Sequence, residues 1–446
     1  MLPTWRLRAE FARRLSGMYG NEVPAYTTLL EVSAQVNDEV IARTGDTGRL
    51  GGIARVTAER HGAIRVGTPR EMRRAALIFA ALGMEPVGFY DLREAAASAV
   101  PVVSTAFRPI DAEELERNPF RVFTSMLTTA DRRFFDPDLE ARLESFLGRR
   151  ELFPSELLRL AERAERERGL GEENAERFLA LAVAAFELSP EPVDRAWYAE
   201  LERVSAVAAD IGGVTSTHVN HLTPRVLDID ELYRRMGELG ITMIDRIQGP
   251  PRWDGPDVLL RQTSFRALAE PRRFRESDGS VGEGSLRVRF GEVEARGIAL
   301  TRAGRALYDE LIGEPAERWP SRFPRTEREL AVQERAYFRY EPATGRPRDG
   351  RTPPQDLAGL LDGGWLSAAP IVYEDFLPRS AAGIFQSNLT DEGTRDSSVA
   401  GAHYDQQWLS GVLERPVHDP FDLYAAQQDR SLQQARRALG LPKDTS

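Results

Sequence analysis

Five histidines and no cysteine set the limits of the metal chemistry open to this 446-residue chain. Without thiols there can be no disulfide, thiolate zinc site, iron–sulfur cluster or cysteine nucleophile, which leaves His, Asp and Glu as metal ligands. The histidines are His61, His218, His221, His403 and His418. Two of them stand in matching surroundings. His61 lies at the start of RHGAIRVGTPREMRRAALIFAALGMEPVGFYDL, and His218 at the start of THVNHLTPRVLDIDELYRRMGELGITMIDRIQG. Each segment reads as a short apolar strand, a turn, an amphipathic helix, a Leu-Gly helix stop and a resumed strand. His61 precedes Gly83 by 22 residues and His218 precedes Gly240 by 22. Equal spacing points to two copies of one βα unit. One histidine alone is more often a core or surface residue than a ligand; a matched pair is better evidence.

A third donor is offered by VRFGEVEARGIALT, which alternates like a strand. Glu292 and Glu294 are two residues apart and share a strand face. Two inward glutamates are costly unless something neutralises them, and a divalent metal would. Alternatively this is a solvent face with Arg287, Arg289 and Arg296 as partners. Two histidines and one carboxylate, with positions left open, make the facial triad of non-haem Fe(II) oxygenases, although zinc or manganese accepts the same donors. The expected ligands are His61, His218 and Glu292, with Glu294 as the alternative acid. His221, three residues after His218, would face the other side of a regular strand, so it is expected in a supporting role or a turn. Arg65, four after His61, shares its face and suits a carboxylate-bearing substrate, or else an ordinary salt bridge.

The elements that must position these groups are legible in outline. Residues 2–50 and 138–205 carry helical apolar spacing, and 418–440 carries one more amphipathic helix. The expected divisions are an N-terminal helical segment (1–50), a first βαβββ-like module (51–135), a helical insertion (136–210), a second module (211–312) and a loop-rich C-terminal region (313–446). The chain is 41% hydrophobic and 29% charged, with net charge −10. That supports a sizeable core and argues against nucleic-acid binding, which usually shows a basic face. No apolar run reaches 18 residues, so no membrane span is expected. The N-terminus lacks the apolar stretch of a secretory signal, and a cytoplasmic location is the default expectation.

Taken together, HGAIR, THVNHLTPRVLDID, RFGEVEARGIALT, SAAGIFQSNL and DSSVAGAHYD resemble the 2-oxoadipate dioxygenase/decarboxylase family, also called 2-hydroxyglutarate synthases. The likeness runs from about residue 20 to 430. The repeated unit is similar to the βαβββ module of the vicinal oxygen chelate superfamily. The resemblance implies an α+β fold in which paired modules form a curved central sheet around a metal site, with added helices. It also implies an Fe(II) enzyme of lysine catabolism converting 2-oxoadipate and O2 to D-2-hydroxyglutarate and CO2. Carried over motif by motif, it gives His61, His218 and Glu292 as ligands. Glu292 is preferred because it stands four residues before Arg296, as the ligand glutamate does before a similar arginine in 4-hydroxyphenylpyruvate dioxygenases. Substrate contacts would come from His61, His218, Arg65, which would hold an acidic end of the substrate, and the backbone of Val399. Gln386, Ser387 and Asn388 are weaker candidates. The competing readings are another divalent-metal enzyme on the same scaffold (isomerase, lyase or hydrolase) and a non-catalytic metal- or ligand-binding protein.

Overall fold

The computed structural model describes residues 1–45, 53–94, 100–377, 395–396 and 398–442. Its centre is a five-stranded sheet. The strands are β1 (Arg60–Val66), β2 (Glu85–Asp91), β3 (Val102–Arg108), β4 (Arg121–Leu127) and β5 (Val219–Pro224). Their order across the sheet is β2-β3-β4-β1-β5. β1 pairs parallel with β4 and antiparallel with β5. A parallel neighbour needs a crossover, which α3 (Pro69–Ala81) begins after β1. Thr68 and Glu71 close a capping box over the start of α3, and Pro69 sits at its first turn, where no N–H is needed.

The second unit repeats this plan less regularly. β5 leads into α8 (Ile229–Glu238), then a chain segment at 241–248, then β6 (Leu260–Ser264) and β7 (Glu292–Arg296). β6 and β7 pair antiparallel. Ile244 N donates to Ser264 O at 2.9 Å and Gln248 N to Gln262 O at 2.7 Å, which adds the 241–248 segment to the far side of β6. Val226 N donates to Glu294 O at 2.8 Å and Phe290 N to Asn220 O at 3.3 Å, so β7 runs beside β5. Two βαβββ units therefore meet along the β1/β5 pair, and the fold is α+β as expected. The matched Leu-Gly stops are real: Gly83 and Gly240 follow their helices at φ of 70° and 76°, where a side chain would strain the backbone.

Helices cover the sheet. α1 (Thr4–Glu22) and α2 (Pro24–Thr44) fill the N-terminal stretch, and α4 (Pro137–Arg149), α5 (Ser155–Glu167) and α6 (Glu172–Ala184) form the insertion. Both N-terminal helices are pinned to the second unit. Tyr19 of α1 donates to Asn220 O and Phe290 O at 3.0 and 2.8 Å. Asn37 of α2 donates to Arg225 O at 3.1 Å.

The region from 313 to 365 is more ordered than its Pro, Arg and Gly content suggests. β8 (Phe338–Pro342) pairs antiparallel with β9 (Leu366–Pro370), and α9 (Pro420–Ala438) packs on β8. A second apolar core forms here around Trp319, Phe338, Tyr340 and Leu360. Short amphipathic strands between turn residues leave little periodic signal, so tertiary packing decided their state. Among the described residues no helix is long and apolar enough to cross a membrane.

Candidate metal centre

β1, β5 and β7 present their side chains to one buried point. His61, His221 and Glu292 are the described residues whose ligand atoms could hold one metal ion, all lying within 4.8 Å of one another. Glu292 Oε1 is 3.4 Å from His61 Nε2, and Glu292 Oε2 is 3.7 Å from His221 Nε2. The two imidazole rings meet edge to face with centroids 5.4 Å apart. Phe376 stands edge-on to His61 and Phe290 stacks on His221, so the walls are aromatic.

The register explains which histidine arrives. On the β1/β5 ladder His61 lies opposite Thr223 and Ala63 opposite His221. Residues two apart share a face, so His61 and His221 point the same way as diagonal neighbours. At Ala63/Ile64 the partner jumps from His221 to Val219, leaving Asn220 as an extra residue. The expectation put His218 in the ligand set and His221 on the opposite face. The regular pairing of His61 with Thr223 places His221, not His218, beside Glu292, and the bulge lies beyond His221, toward His218.

His218 lies just before β5, in a second polar cluster. Its Nε2 is 3.4 Å from Asp210 Oδ1 and 3.2 Å from Asn220 Nδ2. Asp210, on α7 (Ala206–Gly212), also accepts from Arg65 Nη1 at 2.5 Å and from Asn220 Nδ2 at 3.0 Å. Arg65 thus shares the β1 face with His61, as its spacing indicates, and carries an ion-pair partner that the sequence did not reveal. Val399 is 38% exposed, and its N–H reaches Asp396 O at 3.4 Å. Gln386, Ser387 and Asn388 lie outside the described residues.

The two glutamates of GEVEAR have separate environments. Glu294 receives Arg296 Nε and Nη2 at 2.6 and 2.9 Å, and its Oε2 lies 3.1 Å from His61 Nδ1. Burial alone would raise its pKa, but Arg296 and His61 outweigh that and hold it at about 2. Glu292 is as deeply buried, yet among the described residues no arginine pairs with it. It faces His61, His221 and Gln262 Nε2, which donates at 2.5 Å. Burial raises its pKa, with His61 working against the rise. Burial lowers that of His221 well below the usual imidazole value, and His61 beside it adds to the fall. Burial likewise pulls His218 down to about 4, against the pull of Asp210. For His61, burial opposes a charge, but Glu294 and Glu292 outweigh it and raise its pKa. Two imidazoles converge on a buried carboxylate with which no arginine pairs among the described residues, and this donor set fits a divalent ion.

The family model described as 2-oxoadipate dioxygenase/decarboxylase matches residues 11–388. The chain belongs to this family. A curated relative from Mycobacterium tuberculosis, named 2-oxoadipate dioxygenase/decarboxylase, is 58% identical over 433 residues, covering 96% of this chain and 98% of the relative. One of the same name from Pseudomonas putida is 41% identical, covering 98% and 97%. A crystal structure of the P. putida hydroxyglutarate synthase in complex with 2-oxoadipate matches with a TM-score of 0.82 at 38% identity, over 99% of both chains. Family membership thus joins the β1, β5 and β7 constellation to a group of named dioxygenases. The sequence missed Asp210, Thr223 and Gln262 as neighbours of the site. Asp210 is on a helix whose docking no local pattern announces, and Gln262 enters only through the β6/β7 register.

Proposed function

We propose that this protein is an Fe(II)-dependent dioxygenase/decarboxylase that converts 2-oxoadipate and O2 to D-2-hydroxyglutarate and CO2. The observation that carries this reading is Glu292, a buried carboxylate faced by two imidazoles and an amide in a chain of this family. Every neighbouring buried glutamate has an arginine: Glu59 has Arg225 and Arg121, Glu294 has Arg296, and Glu374 has Arg55 and Arg121.

In this proposal His61, His221 and Glu292 hold the ion. Iron bound there would have open positions for a chelating 2-oxo acid and would supply the one-electron chemistry that dioxygen requires. Arg65 would pair with the distal carboxylate of the substrate, assisted by the polar cluster of Asp210, Asn220 and His218. Two charge-assisted bonds from a guanidinium fix direction as well as position, so the reacting end would be aimed at His61, His221 and Glu292. Phe376 and Phe290 exclude water from the two imidazoles. The overall change balances without a second organic substrate: O2 adds two oxygen atoms, and one carbon leaves as CO2.

The test is oxygen uptake by purified protein with 2-oxoadipate, with and without added Fe(II), and identification of the product. Iron-dependent uptake with equimolar release of CO2 and 2-hydroxyglutarate is expected. Turnover that continues without oxygen, or no uptake by iron-loaded protein, would overturn the proposal.

A further inference from the structure

The Nδ1 side of each imidazole carries as much information as the Nε2 side. His61 stands between the two glutamates of β7, with Glu292 at Nε2 (3.4 Å) and Glu294 at Nδ1 (3.1 Å). His221 has Thr223 Oγ1 3.0 Å from its Nδ1, and its Nε2 faces Glu292. A neutral imidazole has one protonated and one bare nitrogen, and an acceptor at Nδ1 selects the form whose Nε2 lone pair is free for a metal.

Glu294 is held in place from several sides. Arg296 grips both its oxygens, and Arg121 Nη1 lies 3.4 Å from Oε1. Those arginines are themselves fixed. Arg121 donates to Glu59 at 2.7 Å and also pairs with Glu374. Arg296 Nη1 donates to Tyr373 O and Asp375 O at 2.8 and 3.0 Å. Thr223 is fixed by its place on β5, directly across the ladder from His61. Thr223 is on the strand of the histidine it serves, and Glu294 is on β7, which runs beside β5, the antiparallel neighbour of β1, so strand pairing fixes both acceptors.

We infer that Glu294 and Thr223 are positioning residues of the metal centre, each setting the tautomer and ring angle of one histidine so that its Nε2 faces the ion. The inference rests on the ligand set proposed above. The two supports are unequal: the carboxyl group of Glu294 is gripped by two arginines, and the hydroxyl of Thr223 offers a single contact to His221. Loss of such a partner typically weakens metal binding about 10- to 100-fold.

Co(II) is a suitable probe, because its affinity can be measured by chelator competition and its visible absorption reports ligand geometry. The wild type, His61→Ala, Glu294→Gln, Thr223→Val and Thr223→Ser would be compared as whole chains, with circular dichroism to establish folding. Glu294→Gln should weaken Co(II) binding about 10- to 100-fold and alter the absorption bands. Thr223→Val should weaken it by about 10-fold at most, and Thr223→Ser, which keeps the hydroxyl, should restore it. Wild-type affinity in folded Glu294→Gln and Thr223→Val, with binding lost in His61→Ala, would overturn the inference and leave the ligand set standing. No Co(II) binding by the wild type, or undiminished binding by His61→Ala, would overturn the ligand set and this inference with it. If Glu294→Gln does not fold, the Thr223 pair decides: equal affinity in Val and Ser variants refutes the positioning role.

Discussion

Replacing His221 and His218 separately by alanine tests which histidine the β1/β5 register brings to Glu292. Of these two, His221 has a nitrogen near Glu292, at 3.7 Å, and His218 faces Asp210 at 3.4 Å. A closed structural zinc site is worth about 10–16 kcal/mol over four ligands, or about 2.5–4 kcal/mol each. Removing one of three donors should then weaken binding roughly 100- to 1000-fold. Thermal unfolding with and without metal reads this directly. At a metal concentration about 100 times the wild-type Kd, binding adds about 2.7 kcal/mol of stability. His221→Ala, binding at least about 100-fold more weakly, would retain at most about 0.4 kcal/mol of that at the same concentration. His218→Ala should keep almost the full metal-dependent increment and raise KM for the 2-oxo acid. Metal content after dialysis provides a second readout. The reasoning is refuted if His218→Ala loses metal while His221→Ala keeps it.

Two further outcomes follow from the polar groups around the site. Arg65→Ala should leave the metal in place and raise KM about 10- to 150-fold, the worth of a charge-assisted bond of about 1.5–3 kcal/mol. The double variant Arg65→Met/Asp210→Asn removes the stranded carboxylate and should show the same KM, so a wild-type KM in both would rule out Arg65 as the substrate anchor. At low pH, Glu59 and Glu374 should contribute to unfolding. Burial alone would raise the pKa of each, but Arg225, Arg121 and Arg55 around Glu59, and Arg55 and Arg121 around Glu374, hold them below the usual carboxylate range. A depressed folded-state pKa stabilises the fold above the unfolded value of about 4.3, and that contribution is lost as pH falls through the folded value. Urea midpoints should therefore fall below about pH 4.3, and Glu59→Gln should flatten the slope. An identical slope in that variant would show that Glu59 takes no part.

The sequence alone carried a good deal. Absence of cysteine confined any metal site to His, Asp and Glu. Equal spacing from His61 to Gly83 and from His218 to Gly240 revealed two βα units, because helix stops and strand starts are written in local residue types. It also placed Glu292 and Glu294 on one face and Arg65 on the face of His61, since alternation along a strand is local geometry. Tertiary structure decided the rest. The β1/β5 register, with His61 opposite Thr223, brings His221 rather than His218 to Glu292, and a register arises from the pairing of two strands, which neither strand encodes by itself. The β6/β7 register and the arginines around Glu294 divide two identical side chains into a candidate ligand and a candidate support. Asp210 meets Arg65 only because α7 docks there. Periodicity tells a chain which way its side chains face; which of them meet depends on contacts between residues far apart in sequence.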